Sequence, residues 1–183
     1  MARLLNFPTP LCTIAEQVYF SGNDRGWGSD DDASLVRLWT SDPVSSIKSS
    51  FSAEEKKAKL DLIVGLVTGI HLVAAAESIA FAKHVGLPLP QLYELAVDAA
   101  GGSVMFQHFG VKMIAILEGK DGEGKGGEEE NVIGDYLEKL KSAVDEAQAI
   151  KCPVYLGSGA LNLLLQTGKD LGLAALLKLY TGR

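Results

Sequence analysis

Residues 61–78 read DLIVGLVTGIHLVAAAES, and this apolar stretch decides the fold. From Leu62 to Ala76 it has no formally charged side chain, and Asp61 and Glu77 lie at its two ends. The uncharged run is shorter than the roughly 20 apolar residues that a membrane span needs. Its alanines and glycines suit close packing between helices. The stretch is therefore predicted to be a buried helix of a soluble protein, and no membrane partner is expected.

The helix that contains this stretch is predicted to begin well before it. Residues 52–55 read SAEE, a capping-box pattern in which the Ser52 and Glu55 side chains each bond a backbone N–H of the other residue. The apolar pattern continues to about His84, which gives a helix about 50 Å long at 1.5 Å per residue. A helix of this length is expected to bend or break, and Gly65 and Gly69 are the expected places.

The remaining chain also predicts helices. Alternating Val, Ile and Thr are rare, whereas Ala, Leu, Glu and Lys dominate the periodic segments, so the fold class is predicted to be all-α. The net charge of −6, without a cluster of Lys or Arg, argues against nucleic acid or anionic lipid as partners. Two cysteines, Cys12 and Cys152, suit a reducing compartment and are predicted to be buried. No signal peptide is visible, so a cytoplasmic location is predicted.

An internal repeat organises the chain. Residues 2–22 align with residues 147–167, so that Pro8 matches Pro153, and residues 33–40 align with residues 174–181, so that Trp39 matches Tyr180. Residues 1–44 are therefore predicted to be tail helices like the end of a preceding unit. Residues 45–183 are predicted to form a complete unit that ends in the same tail and carries a mobile loop at 118–131.

Residues 69–113, GIHLVAAAESIAFAKHVGLPLPQLYELAVDAAGGSVMFQHFGVKM, resemble the C-terminal helical domain of the 3-hydroxyisobutyrate dehydrogenase group. This group is related to 6-phosphogluconate dehydrogenase within the β-hydroxyacid dehydrogenases. Residues 146–168 are similar to the helices that follow in that domain, and residues 1–39 are similar to its closing helices again. The resemblance implies a helical bundle around one long central helix, and a homodimer with exchanged helices.

The sequence departs from the family pattern at the positions that carry the chemistry. The family's catalytic lysine falls on Asp61 and its asparagine on Val64, while a second Lys-Asp signal falls on Glu138 and Lys139. A carboxylate cannot replace an ammonium group as proton donor in hydride transfer, and it would repel an acidic substrate. Two lysines lie close upstream, at positions 57 and 59, and leave another alignment open.

No cofactor is expected for this chain. A Rossmann domain needs a Gly-rich turn between a strand and a helix, and the glycine-rich runs at 122–127 and 157–159 lack that setting. The three histidines have no spacing that favours a metal site. If the chain is an enzyme, it is therefore predicted not to be a dehydrogenase on its own.

Helical periodicity and polar residues on apolar helices select most of the candidate site, and Val64 is added as the position at which the resemblance implies the family's asparagine. The predicted catalytic residues are Asp61, Thr68, His71, Glu77 and His108, and the predicted substrate-binding residues are Val64, Gly65, Gln107 and Lys112. Each polar residue also has a structural interpretation: a solvated acid, a hydroxyl bonded to its own helix, a packed histidine, or a carboxylate that bonds a neighbouring helix.

Two functions remain open from the sequence. The first is a cofactor-independent enzyme or binder for a small apolar molecule, of isomerase, cyclase or lyase type, in a remodelled substrate cleft. The second is a non-catalytic dimerisation or assembly domain, or a part of a larger NAD(P)-dependent dehydrogenase-like protein.

Overall fold

The computed structural model describes residues 1–46, 50–99, 102–120, 132–168 and 170–182. These ranges are helical and contain no strand, which confirms the predicted all-α fold. The seven α-helices of this part of the chain are α1 (Pro10–Asp24), α2 (Ala53–His84), α3 (Leu89–Val97), α4 (Val104–Glu118), α5 (Val132–Ala149), α6 (Tyr155–Gln166) and α7 (Leu173–Thr181). Short 3-10 helices cover Ala2–Leu5, Asp32–Leu38 and Val44–Ser46.

Helix α2 begins at the predicted capping box. The Ser52 hydroxyl accepts from the Glu55 N–H at 3.2 Å, and the Glu55 carboxylate accepts from the Ser52 N–H at 2.8 Å. The helix then runs for 32 residues to His84 as one element, so the expected break at Gly65 or Gly69 does not occur.

The C-terminal half of α2 forms the centre of the core. Leu72, Val73, Ala76 and Ile79 are fully buried, and helices α4, α5, α6 and α7 pack around them. By length and composition alone, α2 is apolar enough to cross a membrane. Its buried face instead packs against the other helices of this bundle, which is the pattern of a core helix.

Two glycines bring α2 close to α5. A Cβ atom added at Gly65 would lie 3.1 Å from the carbonyl oxygen of Lys139, and one added at Gly69 would lie 2.9 Å from Cβ of Leu140. Contacts this short leave no room for a larger side chain. The small residues of the apolar stretch therefore serve helix packing inside the protein.

The two copies of the repeated segment have the same backbone conformation. Asn6 and Lys151, which are 145 positions apart, are the two non-glycine residues of the described ranges with positive φ, at 53° and 59°. The N-caps Thr9 and Val154 also match, with φ/ψ of −128°/69° and −118°/70°. Each copy therefore ends one helical segment in a left-handed residue and starts the next helix after a proline turn.

Three local expectations differ from the structure. Cys12 is exposed rather than buried, while Cys152 is half-buried. Helix α1 continues past Gly22 to Asp24, and Asp32–Leu38 forms a 3-10 helix. Most of the predicted loop at 118–131 lies outside the described residues.

Candidate functional site

Gly65 contacts Lys139 where α2 packs against α5, close in sequence to the positions at which the family pattern expects its polar residues. Asp61 and Val64 are exposed on the first half of α2, and Gly65 is buried beside them. Gly65 packs against the backbone and Cβ of Lys139 on α5, so this face of α2 is filled by α5 rather than open. Asp61 is exposed to solvent, and its catalytic role stays a prediction.

The two other polar residues of this stretch point in different directions. The Thr68 hydroxyl donates to the carbonyl oxygens of Val64 at 2.7 Å and Gly65 at 3.2 Å, so it bonds its own helix. His71 is exposed on the side of α2 away from Gly65. The structure therefore does not bring Asp61, Thr68 and His71 together around one cavity of the described residues.

The predicted cluster on α4 lies along one helix. His108 is exposed, and its ring meets the ring of Phe109 edge-on at 4.5 Å. Gln107 is exposed and its backbone carbonyl accepts from the Tyr93 hydroxyl at 3.0 Å, while Lys112 is half-buried. In the described part of the chain no hydrogen bond joins Gln107 or His108 to the polar residues of α2.

Glu77 has the most distinctive environment of the predicted residues. It is 2% exposed, and its two carboxylate oxygens accept from the N–H groups of Leu11 and Cys12, each at 3.0 Å. These N–H groups belong to the first turn of α1, which has no side-chain cap of its own. A negative charge at a helix N-terminus is favourable, so Glu77 acts as the cap of α1 across 65 residues of sequence.

The groups around Glu77 are held in their neutral forms. Cys12 as a residue is exposed, but the partial burial of its thiol, a hydrogen bond to Glu77 and the charge of Glu77 together raise the pKa of this thiol to about 11. Burial and the same charge also raise the pKa of the Tyr180 hydroxyl. A thiol and a phenol in these states are poor nucleophiles at neutral pH, so this cluster is suited to structure rather than catalysis.

Cys12 should therefore react slowly with thiol reagents. Because the thiolate is the reactive form, about one Cys12 thiol in a thousand is ionised at pH 8. We expect alkylation of Cys12 by iodoacetamide, followed by mass spectrometry in a Cys152→Ser variant, to rise with a midpoint near the pKa of about 11. A midpoint near the ordinary value of 9.0 would show that Glu77 and burial do not act on this thiol.

The same pKa shift predicts that the free energy of unfolding decreases as the pH rises from 9.0 to about 11. The unfolded thiol ionises near 9.0 and the folded one near 11, so the contribution of Cys12 is complete below pH 9.0 and is lost as the pH rises to about 11. A Cys12→Ala variant should remove this part of the pH dependence from urea unfolding curves.

Two adjoining cavities lie away from the predicted residues, between α1, α2, α6 and the 3-10 helix at Asp32–Leu38. The first has a volume of about 330 Å³ and is lined mainly by apolar groups, among them Trp39, Leu66, Ile70 and Val154. The second has a volume of about 400 Å³ and is lined by Ile14, Gln17, Val18, Ser21, Arg25, Leu38 and Tyr155. Val18 and Tyr155 line both cavities.

Trp39 lines the first cavity and is hydrogen-bonded to another residue of its wall. Its indole Nε1 donates to the carbonyl oxygen of Pro153 at 2.7 Å, and its ring lies 6.1 Å from the ring of Tyr155. The site prediction did not include these residues. The signal that locates them is the repeat, which pairs Pro8 with Pro153 and Trp39 with Tyr180.

One side of α2 is apolar and uncovered. Leu60, Ile63, Val64 and Val67, here called the α2 stripe, are 58%, 56%, 52% and 42% exposed. Their spacing places them on one side of the helix, away from Gly65 and Gly69. Leu66 and Ile70, which follow Ile63 and Val67 by three residues each, line the first cavity, so the apolar surface continues from the stripe into the cavity.

The described residues offer little to hold a metal ion. Within these ranges, no three His, Cys, Asp or Glu side chains gather at distances that suit such a site. The polar groups that line the two cavities are an indole, a thiol, a phenol, an amide, a hydroxyl and a guanidinium. They include no carboxylate and no imidazole for acid–base chemistry.

Comparison with known proteins points to one group of enzymes, although no family model matches the chain. L-threonate dehydrogenase of Escherichia coli strain K12 is 29% identical over 126 residues, which are 66% of this chain and 38% of that protein. The enzyme of the same name from Haemophilus influenzae is 26% identical over 130 residues, which are 68% of this chain and 40% of that protein. The chain thus spans about two fifths of the length of these relatives.

A solved structure of a related dehydrogenase has a fold similar to that of this chain. The crystal structure of 3-hydroxyisobutyrate dehydrogenase from Salmonella typhimurium superposes with a TM-score of 0.54 and is 28% identical. The match covers 66% of this chain and 41% of that one. The matched sequence and the purely helical described residues agree with the predicted resemblance to the C-terminal helical domain.

Proposed function

Because the chain is related to the helical domain of the β-hydroxyacid dehydrogenases, we propose that it is an assembly domain of a dehydrogenase-like protein. In this role it docks, through the α2 stripe and the adjoining cavity, onto a second helical unit of its own kind. The exposure of the α2 stripe is the observation that carries the proposal. Contiguous apolar surface of this kind marks interaction sites in soluble proteins.

The position of the stripe supports an interaction rather than a reaction. It lies on the helix that corresponds to the catalytic helix of the family, but Asp61 and Val64 stand where lysine and asparagine are expected. The exposed residues at 60, 63, 64 and 67 are apolar, so what this side of the helix offers is area for burial. The dehydrogenase activity of the relatives is therefore not assigned to this chain alone.

A second candidate function is the binding of a small apolar molecule, with or without turnover. The two adjoining cavities favour it, because about 330 Å³ and about 400 Å³ lie within the size range of ligand sites. Arg25 and Gln17 line the second cavity and would suit an acidic or amide group on such a molecule. Isomerase, cyclase or lyase chemistry would need polar groups beyond those that line these cavities.

A charge pair placed on the stripe tests the assembly function. Ile63→Glu with Val67→Lys introduces an i,i+4 pair that favours the helix, so folding should be retained. In the purified chain the second helical unit is a second copy. We expect the wild-type chain to self-associate between about 1 and 100 µM in sedimentation velocity, and the variant to weaken this at least about tenfold.

A matched control lies on α3. Gln91→Glu with Leu95→Lys introduces the same charge pair and also replaces an exposed leucine, which is 75% exposed. This control should associate like the wild type. A wild-type chain that stays monomeric over the whole range, or equal weakening by both variants, would contradict the proposal.

A further inference from the structure

The two adjoining cavities form one elongated site with an apolar end and a polar end. Val18 and Tyr155 line both cavities, so the two spaces meet at these side chains. The wall of the first cavity is mainly aliphatic, with Leu66 and Ile70 from α2 and with Val154, which precedes α6. The wall of the second cavity includes an amide, a hydroxyl and a guanidinium. A molecule that fills both cavities therefore needs an apolar part and a polar part.

The polar groups of the second cavity come from one side of α1. Gln17, Ser21 and Arg25 follow one another at intervals of four residues, which places them along one side of the helix. The Arg25 guanidinium donates to the carbonyl oxygen of Ser21 at 2.7 Å, and this bond holds it at the cavity wall. A guanidinium has five N–H donors, so most of those of Arg25 remain for a ligand.

The charge of the site favours an anion. Of the described residues that line the two cavities, Arg25 alone carries a formal charge, and no ion pair joins it to a carboxylate of the described ranges. Arg37, whose guanidinium also lies near the Trp27 ring, is paired with Asp30 at 2.8 Å and lines neither cavity. Because a guanidinium matches a carboxylate with two parallel hydrogen bonds, Arg25 suits a carboxylate in the second cavity.

A difference between the two copies of the repeat accounts for the open space of the first cavity. Cys152, which lines this cavity, corresponds to Phe7 by the shift of 145 positions. Phe7 is 7% exposed, and its ring lies 5.3 Å from that of Phe81 on α2 and 6.5 Å from that of Tyr180. A cysteine is too small to fill the space that a phenylalanine fills, so the first cavity stays open beside α2.

We propose that the two cavities together bind a monocarboxylate with an aliphatic chain. The chain lies in the first cavity against Leu66 and Ile70, where it buries apolar surface, and the carboxylate accepts hydrogen bonds from Arg25 in the second. Asp61 and Val64, at the family's catalytic positions, line neither cavity, so this site is separate from them. The inference goes beyond the assembly function and gives a ligand class to the second candidate function.

Octanoate and octanamide are matched probes, because they share the chain and differ in the charge of the head group. The protein is the full chain with Trp27→Phe, so that Trp39, which is 41% exposed at the first cavity, is its single tryptophan. A concentration of about 0.5 µM keeps it below the range expected for self-association. We expect octanoate to shift the Trp39 fluorescence to the blue and to bind at least about tenfold more tightly than octanamide.

Three variants locate the two ends of the ligand. Arg25→Gln should weaken octanoate binding at least about tenfold and leave octanamide binding unchanged. Arg37→Gln is its matched control, since it removes the other guanidinium near Trp27, and it should bind octanoate like the parent protein. Cys152→Phe, which restores the residue of the other copy, should weaken the binding of both probes because its ring takes the place of the chain. Circular dichroism checks that each variant is folded.

The outcomes separate this inference from the assembly function. Equal affinities of the parent protein for octanoate and octanamide, or equal effects of the two arginine substitutions, would overturn it. So would the absence of any fluorescence change with either probe up to about 1 mM, or a folded Cys152→Phe variant that binds both as before. None of these results bears on the assembly function, because its sedimentation test changes the α2 stripe and uses no ligand.

Discussion

Glu77→Gln is expected to lower the free energy of unfolding by about 3 kcal/mol, because a buried charged acceptor of two hydrogen bonds becomes a neutral group with one acceptor oxygen. Both oxygens of Glu77 receive N–H groups at 3.0 Å, so an amide in this place turns an NH₂ donor toward another donor. The start of α1 also loses the negative charge that its dipole favours. Urea unfolding, followed by circular dichroism, measures the change.

The control for Glu77→Gln is the same chemical change at an exposed position. Glu94 lies exposed on α3, and Glu94→Gln should change the free energy of unfolding by no more than about 0.5 kcal/mol. A second readout is local: in a folded Glu77→Gln protein the pKa of Cys12 should fall below about 11, because the charge that helps to raise it is gone. Equal effects of the two substitutions would show that Glu77 does not hold α1.

Gly69→Val is expected to cost about 3 kcal/mol or more of stability, because it forces α2 and α5 apart. A Cβ at position 69 would lie 2.9 Å from both Cβ and Cδ2 of Leu140, a distance that real Cβ atoms do not adopt. Leu140 is fully buried, so it has no free space into which to move. Thermal or urea unfolding measures the loss.

A control and a double mutant separate packing from helix propensity. Ser78→Val places the same β-branched residue on the exposed side of α2 and should cost about 0.5 kcal/mol or less. Leu140→Ala alone should destabilise by about 2–5 kcal/mol. The double mutant Gly69→Val with Leu140→Ala should lose less stability than the sum of the two single mutants, because Leu140→Ala removes the side chain with which the new valine collides. Strict additivity would mean that the two side chains do not compete for one space.

The helices follow from local sequence features, and so they could be predicted. Ser52 and Glu55 start α2 through bonds within four residues, and the run of apolar residues carries the helix to His84. The repeat could be recognised because Pro8 and Pro153 occupy matching positions in two similar segments. Residues 6 and 151, which lie two residues before these prolines, share a left-handed backbone conformation. The relation to the dehydrogenase helical domain rests on an extended pattern of this kind.

The candidate site could be predicted only in part. Glu77 was selected because a carboxylate on an alanine-rich helix needs partners, and the structure supplies them from the backbone of α1. The identity of those partners had no sequence signal, because any helix start offers the same N–H groups. The partner of Thr68, by contrast, is local in sequence, because its hydroxyl donates to a carbonyl oxygen in the preceding turn of the same helix.

By itself, the sequence determined which segments are helical, where α2 begins and ends, and that one segment occurs twice. These properties depend on caps, propensity and periodicity over a few turns. Only the tertiary structure decided which apolar sides are covered. Leu72 and Val67 lie on the same apolar helix, yet one is fully buried and the other is 42% exposed. Periodicity separates the sides of a helix, but burial depends on which distant helices reach each side, and that is set by packing of the whole bundle.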